Sequence, residues 1–209
     1  MSALRTLFAT RLYEANLANA AGGGFDAFTA ELEEACLMLA EEDQAGRAWC
    51  KRQSYGGYTS YASLNDLPSR ATVFGELKKR LDKHAALFAK DLAFELAGGR
   101  LKLDSLWVNV LKPGFGHTGH IHPHSVVSGT VYVALPAGSA GLKLEDPRLA
   151  MMMAAPRRTN DAPEELKSFV TVTPKVGTVL MWESWLRHEV PAARAKGERI
   201  SISFNYAWR

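Results

Sequence analysis

The sequence has little cysteine and no long apolar run. Only Cys36 and Cys50 occur among 209 residues, and neither belongs to a Cys-x-x-Cys pair. A disulfide framework needs more cysteines, so we interpret both as reduced thiols and expect a cytoplasmic protein. No segment approaches the roughly 20 apolar residues that span a bilayer, and charged side chains interrupt the apolar N-terminal stretch 4–17. We therefore expect neither a signal peptide nor a membrane segment.

The sequence also lacks blocks of like charge, repeats and low-complexity linkers. Its 25 basic and 22 acidic residues give a net charge of +3 and are spread along the chain, which argues against a nucleic-acid or anionic-membrane surface. With 47% hydrophobic residues, the composition is that of a globular protein. The length suits one core better than two, so we predict a single domain over residues 1–209.

Helical periodicity is confined to the first half of the chain. Apolar residues recur at spacings of three and four from about Phe28 to Trp49, which predicts one amphipathic helix. A second stripe predicts a helix from about Thr72 to Leu96, and Gly98-Gly99 then supplies the expected stop. Residues 1–99 are therefore predicted to be mostly helical.

The second half reads as strands separated by proline and glycine turns. Alternating or β-branched runs occupy five segments: 101–111, 126–135, 169–173, 178–182 and 200–206. Helices followed by strands indicate an α+β fold, mainly β, with the helices packed on one face of a β-sandwich formed by residues 100–209.

Histidines cluster in this β half. Four of the six lie between Gly116 and Ser125. In an extended chain, residues two apart share a face, so His120, His122 and His124 could point the same way while Ile121 points into the core. Two of these imidazoles can reach one metal ion, and His188 is the candidate for the third ligand. The alternative is a His-rich surface loop without catalysis.

A polar face follows His188 in the sequence. Residues 191–197 read as a turn, and a hairpin centred there would place Arg199 opposite His188. Arg199, Ser201, Ser203 and Asn205 alternate with four apolar residues. A solvated face would more often carry lysine, glutamate and threonine, whereas an arginine above small polar residues favours a cavity for a dicarboxylate.

These segments resemble the 2-oxoglutarate/iron(II)-dependent oxygenases of the prolyl-hydroxylase-like superfamily, and within it a bacterial and phage family whose substrates are uncharacterised. The matching stretches run in order along nearly the whole chain: 56–60, 107–110, 120–123, 128–132, 146–148, 177–180 and 199–205. The resemblance implies a double-stranded β-helix (a cupin-like jelly-roll) that binds Fe(II), 2-oxoglutarate and O2. Nothing in the sequence identifies the primary substrate or separates a monomer from a homodimer.

The resemblance also implies roles for particular residues. His120 and His122 would be the proximal metal ligands and His188 the distal one. Arg199 and Ser201 would bind the far carboxylate of 2-oxoglutarate, with Tyr132 adding a hydroxyl and Asn109 lining the same cavity.

One position departs from the superfamily pattern. The common facial triad has two histidines and one carboxylate, whereas His122 occupies the carboxylate position here. His124 could replace His122 if Pro123 bends the chain, and the acids nearest in sequence, Glu145 and Asp146, read as a structural turn. The departure keeps two alternatives open: a three-histidine cupin-like dioxygenase or isomerase without 2-oxoglutarate, and a non-catalytic metal-binding module.

Overall fold

The computed structural model describes residues 2–17 and 25–209. Within these residues, the helices are α1 (Phe25–Glu42), α2 (Gln44–Arg52) and α3 (Thr72–Asp91). The strands are β1 (Leu12–Asn16), β2 (Gly57–Thr59), β3 (Leu101–Leu111), β4 (His117–His120), β5 (Val127–Ala134), β6 (Leu142–Glu145), β7 (Phe169–Val172), β8 (Thr178–Glu183), β9 (His188–Val190) and β10 (Arg199–Trp208).

The strands form two antiparallel sheets. One has six strands in the order β1-β8-β5-β10-β3-β2, and the other has four in the order β4-β9-β6-β7. Consecutive strands alternate between the sheets from β3 to β6, and again from β7 to β10. This alternation is the winding of the double-stranded β-helix that the resemblance implied.

The helices cover one face of the six-stranded sheet. Every second residue of the central strands, such as Val108, Val131 and Ile202, joins a buried cluster with Leu32 of α1 and Leu81 of α3. Because side chains alternate along a strand, these positions all point away from the four-stranded sheet. The predicted packing of helices on one face of the sandwich is confirmed.

The opposite face of the six-stranded sheet points toward the four-stranded sheet. It carries Tyr132, Leu180 and Trp182, which pack with residues of β6 and β9 in a second buried cluster. The polar residues of β10 are on this face, where Arg199 is 4% exposed and Ser201 is 3% exposed. The polar face of β10 is therefore enclosed between the sheets, as the cavity interpretation required.

The helix predicted from Phe28 to Trp49 is wrong as a single element. Asp43 lies between α1 and α2 with a non-helical ψ of 84°. Its carboxylate caps α2 by accepting from the Gly46 N–H at 2.9 Å, and it also accepts from the Tyr58 hydroxyl at 2.9 Å. Asp43 follows Leu39 by four residues and so falls on the apolar stripe, where it is buried because these two donors satisfy its carboxylate.

The second helix ends earlier than predicted. α3 stops at Asp91, not near Leu96, because Ala93 adopts a left-handed φ of 52°. The N–H of Ala93 donates to the Lys90 carbonyl and that of Phe94 to the Ala89 carbonyl, which closes the last turn. Gly98-Gly99 is therefore not the helix stop.

Among the described residues, no helix combines the length and apolar character needed to cross a membrane.

The five predicted strands are confirmed to within a few residues as β3, β5, β7, β8 and β10. No pattern in the sequence predicted β1, which pairs with β8 along the edge of the large sheet. The division at residue 100 holds for the helices but not for the sheet, since β1 and β2 come from the first half. The single domain over residues 1–209 stays a prediction.

The predicted hairpin between residues 188 and 199 is wrong. His188 in β9 pairs with His120 and Leu144, whereas Arg199 in β10 pairs with Leu111 in the other sheet. Residues 191–198 therefore cross from one sheet to the other. The turn-like sequence of this segment is compatible with a hairpin within one sheet and with a connection between two sheets. The connection forms here because β9 and β10 belong to sheets that pack face to face.

Candidate active site

Two histidines of the cluster face each other across neighbouring strands. β4 ends at His120, and β9 begins at His188, its direct partner in the ladder. Their ring centroids lie 4.4 Å apart. The short distance follows from the pairing, because directly opposed side chains on one face of a sheet are neighbours.

The third histidine, His122, follows the end of β4. Its backbone N–H donates to the Ser184 carbonyl at 3.0 Å, which turns the chain back over the sheet. The His122 ring centroid is then 5.1 Å from those of both His120 and His188. One nitrogen from each ring lies within 4.8 Å of the other two, so a single metal ion can be reached by all three.

The neighbouring residues differ from their sequence predictions. His124 is exposed, has a left-handed φ of 77°, and lies outside the metal-competent group found among the described residues. Ile121 is 45% exposed, so the prediction that it points into the core is wrong. The reason is that β4 ends at His120, so strict alternation does not continue through the residues after it.

All three imidazoles are held with the same nitrogen free. Nδ1 of His120 lies 2.7 Å from the Thr118 carbonyl, and Nδ1 of His188 lies 2.9 Å from the Leu186 carbonyl. Nδ1 of His122 lies 2.8 Å from Oδ1 of Asn205. Because each acceptor is an oxygen, each Nδ1 carries the proton and each Nε2 keeps its lone pair for a metal.

Burial favours the neutral form that metal binding needs. Burial, with a smaller contribution from the neighbouring charge of His120, lowers the pKa of His188 to about 3 and that of His122 to about 4. These imidazoles are thus deprotonated at neutral pH without a metal. Nε2 of His122 is buried and has no hydrogen-bond partner, as expected for a nitrogen whose partner is an ion.

The nearby acids do not join the cluster. Glu145 pairs with Arg187 at 3.3 Å, and Asp146 pairs with Arg148 at 2.8 Å. The N–H of Arg148 also donates to the Asp146 carboxylate at 2.9 Å, which closes the turn expected at Asp146-Pro147-Arg148. The metal-competent group among the described residues is therefore all imidazole.

A buried guanidinium occupies the inner face of β10. Arg199 donates from Nη1 to Ser201 Oγ at 3.1 Å, and its charged centre lies 5.0 Å from the centroid of the Tyr132 ring. Its Nε and the Tyr132 hydroxyl are both buried and unpartnered. No acid of the described chain pairs with Arg199. Burial lowers the pKa of Arg199, but a guanidinium stays charged, so this site calls for an anion.

Tyr55, one of the tyrosines that the sequence suggests as a pocket wall, and His117 lie near this guanidinium. The Tyr55 hydroxyl is 2.7 Å from Nε2 of His117, and the pair joins the edge of the large sheet near β2 to β4 of the small sheet. Burial lowers the pKa of His117 to about 4, with a further contribution from the charge of Arg199. A neutral imidazole therefore bridges the two sheets beside the anion site.

Asparagines support both ends of the cavity. Asn109 accepts from Thr59 at 2.9 Å and donates to Ser203 at 3.0 Å, so both its amide oxygen and its amide nitrogen are hydrogen-bonded. Asn205, which was placed only on the polar face, accepts from His122 and from Ser128 Oγ at 2.8 Å each. The alternation on β10 indicates the direction of the Asn205 side chain. Its partner His122 is on the loop after β4, which comes close to β10 only in the folded chain.

Aromatic rings wall the side of His122 away from the other ligands. Trp107 stacks on the His122 ring at 5.8 Å, and Tyr61 meets Trp107 edge-on at 5.2 Å. Trp107 is 6% exposed and Tyr61 is 54% exposed. The Tyr61 ring therefore lies where the wall beside the histidine cluster reaches solvent.

Comparisons with known proteins agree with this geometry. Residues 105–205 match the family described as "Putative 2OG-Fe(II) oxygenase". No curated protein matches the chain. The matched segment covers just under half of the chain and contains all three histidines and Arg199, so the likeness to this family lies in the part of the chain that forms the candidate site.

Solved structures share the fold at low sequence identity. A Pseudomonas putida prolyl-4-hydroxylase is 14% identical with a TM-score of 0.57, and the alignment covers 96% of this chain and 89% of that one. The epimerase SnoN, solved with Fe3+, alpha ketoglutarate and nogalamycin RO, is 14% identical with a TM-score of 0.63 over 95% of this chain and 79% of that one.

One alignment is only partial. An oxidoreductase of the 2OG-Fe(II) oxygenase family from Burkholderia pseudomallei is 18% identical with a TM-score of 0.46. That alignment covers 65% of this chain and 56% of the other, so this chain spans little more than half of that protein. At this score the likeness carries no argument about the fold or the site.

Proposed function

We propose that the chain is an oxygenase that binds Fe(II) through His120, His122 and His188 and binds 2-oxoglutarate beside Arg199. The observation that carries the proposal is the set of three imidazole nitrogens within 4.8 Å of one another. The guanidinium of Arg199 is buried on the face of the large sheet that points toward the histidine cluster, and no acid of the described chain pairs with it. A metal ion and a dicarboxylate would satisfy these two needs.

The residues present fit an iron ion. Imidazole is a suitable ligand for iron, and three nitrogens from adjacent points leave other coordination positions open for small molecules. The oxygens of Thr118, Leu186 and Asn205 fix the ring orientations before any ion arrives. This preorganisation lowers the cost of assembling the site.

The anion site fits one end of a dicarboxylate. Arginine binds carboxylates with two parallel N–H groups, and Arg199 keeps Nε free for such a contact. The free Tyr132 hydroxyl and the Ser201 hydroxyl lie beside the guanidinium. Tyr132 also shares a buried cluster with Trp182, whose ring lies 4.6 Å from that of His188. Packed side chains thus connect Arg199 to the histidine cluster through Tyr132 and Trp182.

In the reaction, some residues of the chain would bind and orient the co-substrate, and others would exclude water from the site. Bound Fe(II), with 2-oxoglutarate, would supply the activation of O2, one oxygen atom entering the substrate as 2-oxoglutarate becomes succinate and CO2. Arg199, Ser201 and Tyr132 would orient the co-substrate, and Asn109 would complete the wall. Leu142, Leu144 and Leu180 would keep the cavity dry.

The all-imidazole ligand set changes the charge of the site. A carboxylate at position 122 would cancel one positive charge of the metal, whereas neutral His122 leaves it in place. This feature supports the second candidate function, a three-histidine metal enzyme that does not use 2-oxoglutarate. That candidate leaves the buried charge of Arg199 without a role, which is why we favour the first.

Anaerobic titration tests the proposal. The protein with one equivalent of Fe(II) is titrated with 2-oxoglutarate while the visible spectrum is recorded, and a weak charge-transfer band is expected when the co-substrate chelates the metal. Metal binding without a band at saturating 2-oxoglutarate would select the second candidate. Absence of metal binding in the wild type would contradict both.

Matched variants assign the residues. His188→Ala should abolish metal binding, whereas His124→Ala removes an exposed histidine outside the cluster and should leave it intact. Arg199→Lys keeps the charge but loses the two-pronged contact, so it should weaken 2-oxoglutarate binding at least tenfold with metal affinity retained. Equal affinities for Arg199→Lys and the wild type would remove Arg199 from the site.

A cytoplasmic location remains a proposal, in keeping with the free thiols of Cys36 and Cys50. We also propose that the protein uses O2, acts on an organic primary substrate and forms a homodimer. Size-exclusion chromatography with light scattering would establish the number of chains in solution. Oxygen consumption that depends on 2-oxoglutarate would establish O2 as a reactant.

A further inference from the structure

Trp182 holds a buried hydrogen-bond donor that nothing in the described chain accepts. The residue is 2% exposed, and its indole Nε1 has no partner. An indole N–H can only donate, and leaving such a group buried and unpaired costs free energy. Trp182 therefore calls for an acceptor that arrives from outside the chain.

The other unpaired buried polar atoms in the same half of the described chain already have proposed ligands. The described residues contain seven such buried side-chain atoms. Three are on α1 and α3, and the other four are His122 Nε2, Tyr132 Oη, Arg199 Nε and Trp182 Nε1. The first three of these four serve the metal and the carboxylate proposed above. Trp182 alone is left without a role.

The position of the indole points to the metal end of the cavity. Trp182 is on the inner face of β8, and its ring meets that of His188 edge-on, at 4.6 Å and 63°. It packs in the same buried cluster as Tyr132, which lies under the Arg199 guanidinium. The indole therefore lies between the two sheets, next to a proposed metal ligand.

We propose that the Trp182 N–H donates a hydrogen bond to the 2-oxo acid end of the co-substrate, the end nearest to the histidine cluster. This inference rests on the proposed function. A carboxylate is the strongest acceptor that the cavity would receive, and Arg199 holds the carboxylate at the other end. Trp182 is then a binding and positioning residue that favours 2-oxo acids with a free carboxylate beside the metal.

Removal of the N–H together with part of the indole ring gives the first test, and the controls below separate the two effects. The Fe(II) protein is titrated anaerobically with 2-oxoglutarate, and the dissociation constant and the position of the charge-transfer band are recorded. Trp182→Phe should raise the dissociation constant about tenfold, the effect of losing one hydrogen bond to a charged acceptor. The band should also shift, because the hydrogen bond acts on the metal-bound end of the ligand. Cobalt(II) binding, measured separately, should stay within about a factor of two.

Two controls separate the hydrogen bond from packing. Trp185→Phe makes the same substitution at an indole that is 46% exposed and should change neither quantity. A benzothiophene analogue at position 182, with sulfur in place of the N–H, keeps the ring size and should reproduce the effects of Trp182→Phe. Wild-type affinity and band position in this analogue would overturn the inference and leave the proposed function standing. A wild type that forms no band would instead overturn the proposed function.

Discussion

Nδ1 of His122 lies 2.8 Å from Oδ1 of Asn205, so a side chain of the last strand orients a ligand on the loop after β4. Asn205 is itself fixed, because its Oδ1 accepts from Ser128 Oγ at 2.8 Å and its Nδ2 donates to Ser105 Oγ at 3.2 Å. Three separate parts of the chain therefore decide which nitrogen of His122 is free.

Loss of this contact should weaken metal binding without abolishing it. Asn205→Ala removes the acceptor, frees the ring to rotate and allows the other tautomer, so we expect a loss of about 10- to 100-fold in cobalt(II) affinity. Isothermal titration calorimetry measures it. Asn109→Ala is the matched control, since that amide bonds to Thr59 and Ser203 and to no histidine. Equal losses in both variants would point to general loosening of the cavity.

The metal cluster could be predicted from the sequence because its signal is local. His120 and His122 are two residues apart next to a strand, and few other histidines compete for the third place. The tautomers could not be predicted, since their acceptors are two carbonyl groups and an amide fixed by backbone conformation and by β10. No residue spacing encodes those contacts.

One of the two sequence arguments that predict Arg199 in the site is wrong. The argument used a hairpin opposite His188, yet the two residues belong to different sheets. The alternation of polar and apolar residues on β10 was sufficient, because it turns Arg199 away from the helices and into the gap between the sheets. The alternation of polar and apolar residues on β10 thus predicts the direction of the Arg199 side chain correctly, whereas the predicted strand pairing is wrong.

The Tyr55–His117 contact should matter for the co-substrate more than for the metal. Its 2.7 Å hydrogen bond ties the two sheets together beside Arg199. Tyr55→Phe keeps the ring and removes this tie, so we expect 2-oxoglutarate to bind about 3- to 10-fold more weakly, in proportion to the loss of one hydrogen bond. The charge-transfer titration measures this affinity.

Tyr61→Phe is the control for that substitution, because the Tyr61 ring lies on the solvent side of Trp107. It should leave the 2-oxoglutarate affinity within a factor of about two. A Tyr55→Phe protein that binds the co-substrate as tightly as the wild type would mean that the cross-sheet bond does not shape the cavity.

Substitution by alanine at two glycines should change the free energy of unfolding in opposite directions. A Cβ on Gly129 in β5 would overlap the Phe204 ring and the Leu180 carbonyl oxygen, so Gly129→Ala should lower the free energy of unfolding by about 2 kcal/mol. A Cβ on Gly75 in α3 would meet only the Pro68 carbonyl oxygen at 3.4 Å, an ordinary contact. Gly75→Ala should therefore raise the free energy of unfolding by about 0.5–1 kcal/mol.

Urea denaturation of the two variants measures both changes. A Gly129→Ala protein as stable as the wild type would show that β5 and β10 can separate slightly at no cost. A destabilised Gly75→Ala protein would mean that the approach of Pro68 to α3 is tighter than the contact distance indicates.

The stability of the metal-free protein should fall as the pH falls below about 6.5. Burial lowers the pKa of His84, and the nearby charge of Lys83 lowers it further. Its Nδ1 lies 2.8 Å from the Tyr13 hydroxyl, while its Nε2 is buried without a partner, so protonation would bury an unpaired donor and a charge.

The sign follows from proton binding. Because the folded-state pKa of His84 lies below the unfolded value, the unfolded chain binds the proton first as the pH falls. The contribution of His84 is therefore complete above pH 6.5 and is lost between that pH and the folded-state pKa. The lowered pKa values of His117, His122 and His188 act in the same direction.

Denaturation at a series of pH values isolates the part that belongs to His84. His84→Gln cannot take up the proton, so the slope of unfolding free energy against pH should fall by at most one proton, about 1.4 kcal/mol per pH unit. Comparing slopes instead of absolute stabilities removes the loss of packing that the substitution itself causes. If the slope of His84→Gln equals that of the wild type between pH 4 and 6.5, the acid sensitivity resides in the cavity histidines, and a tightly bound metal should then suppress it.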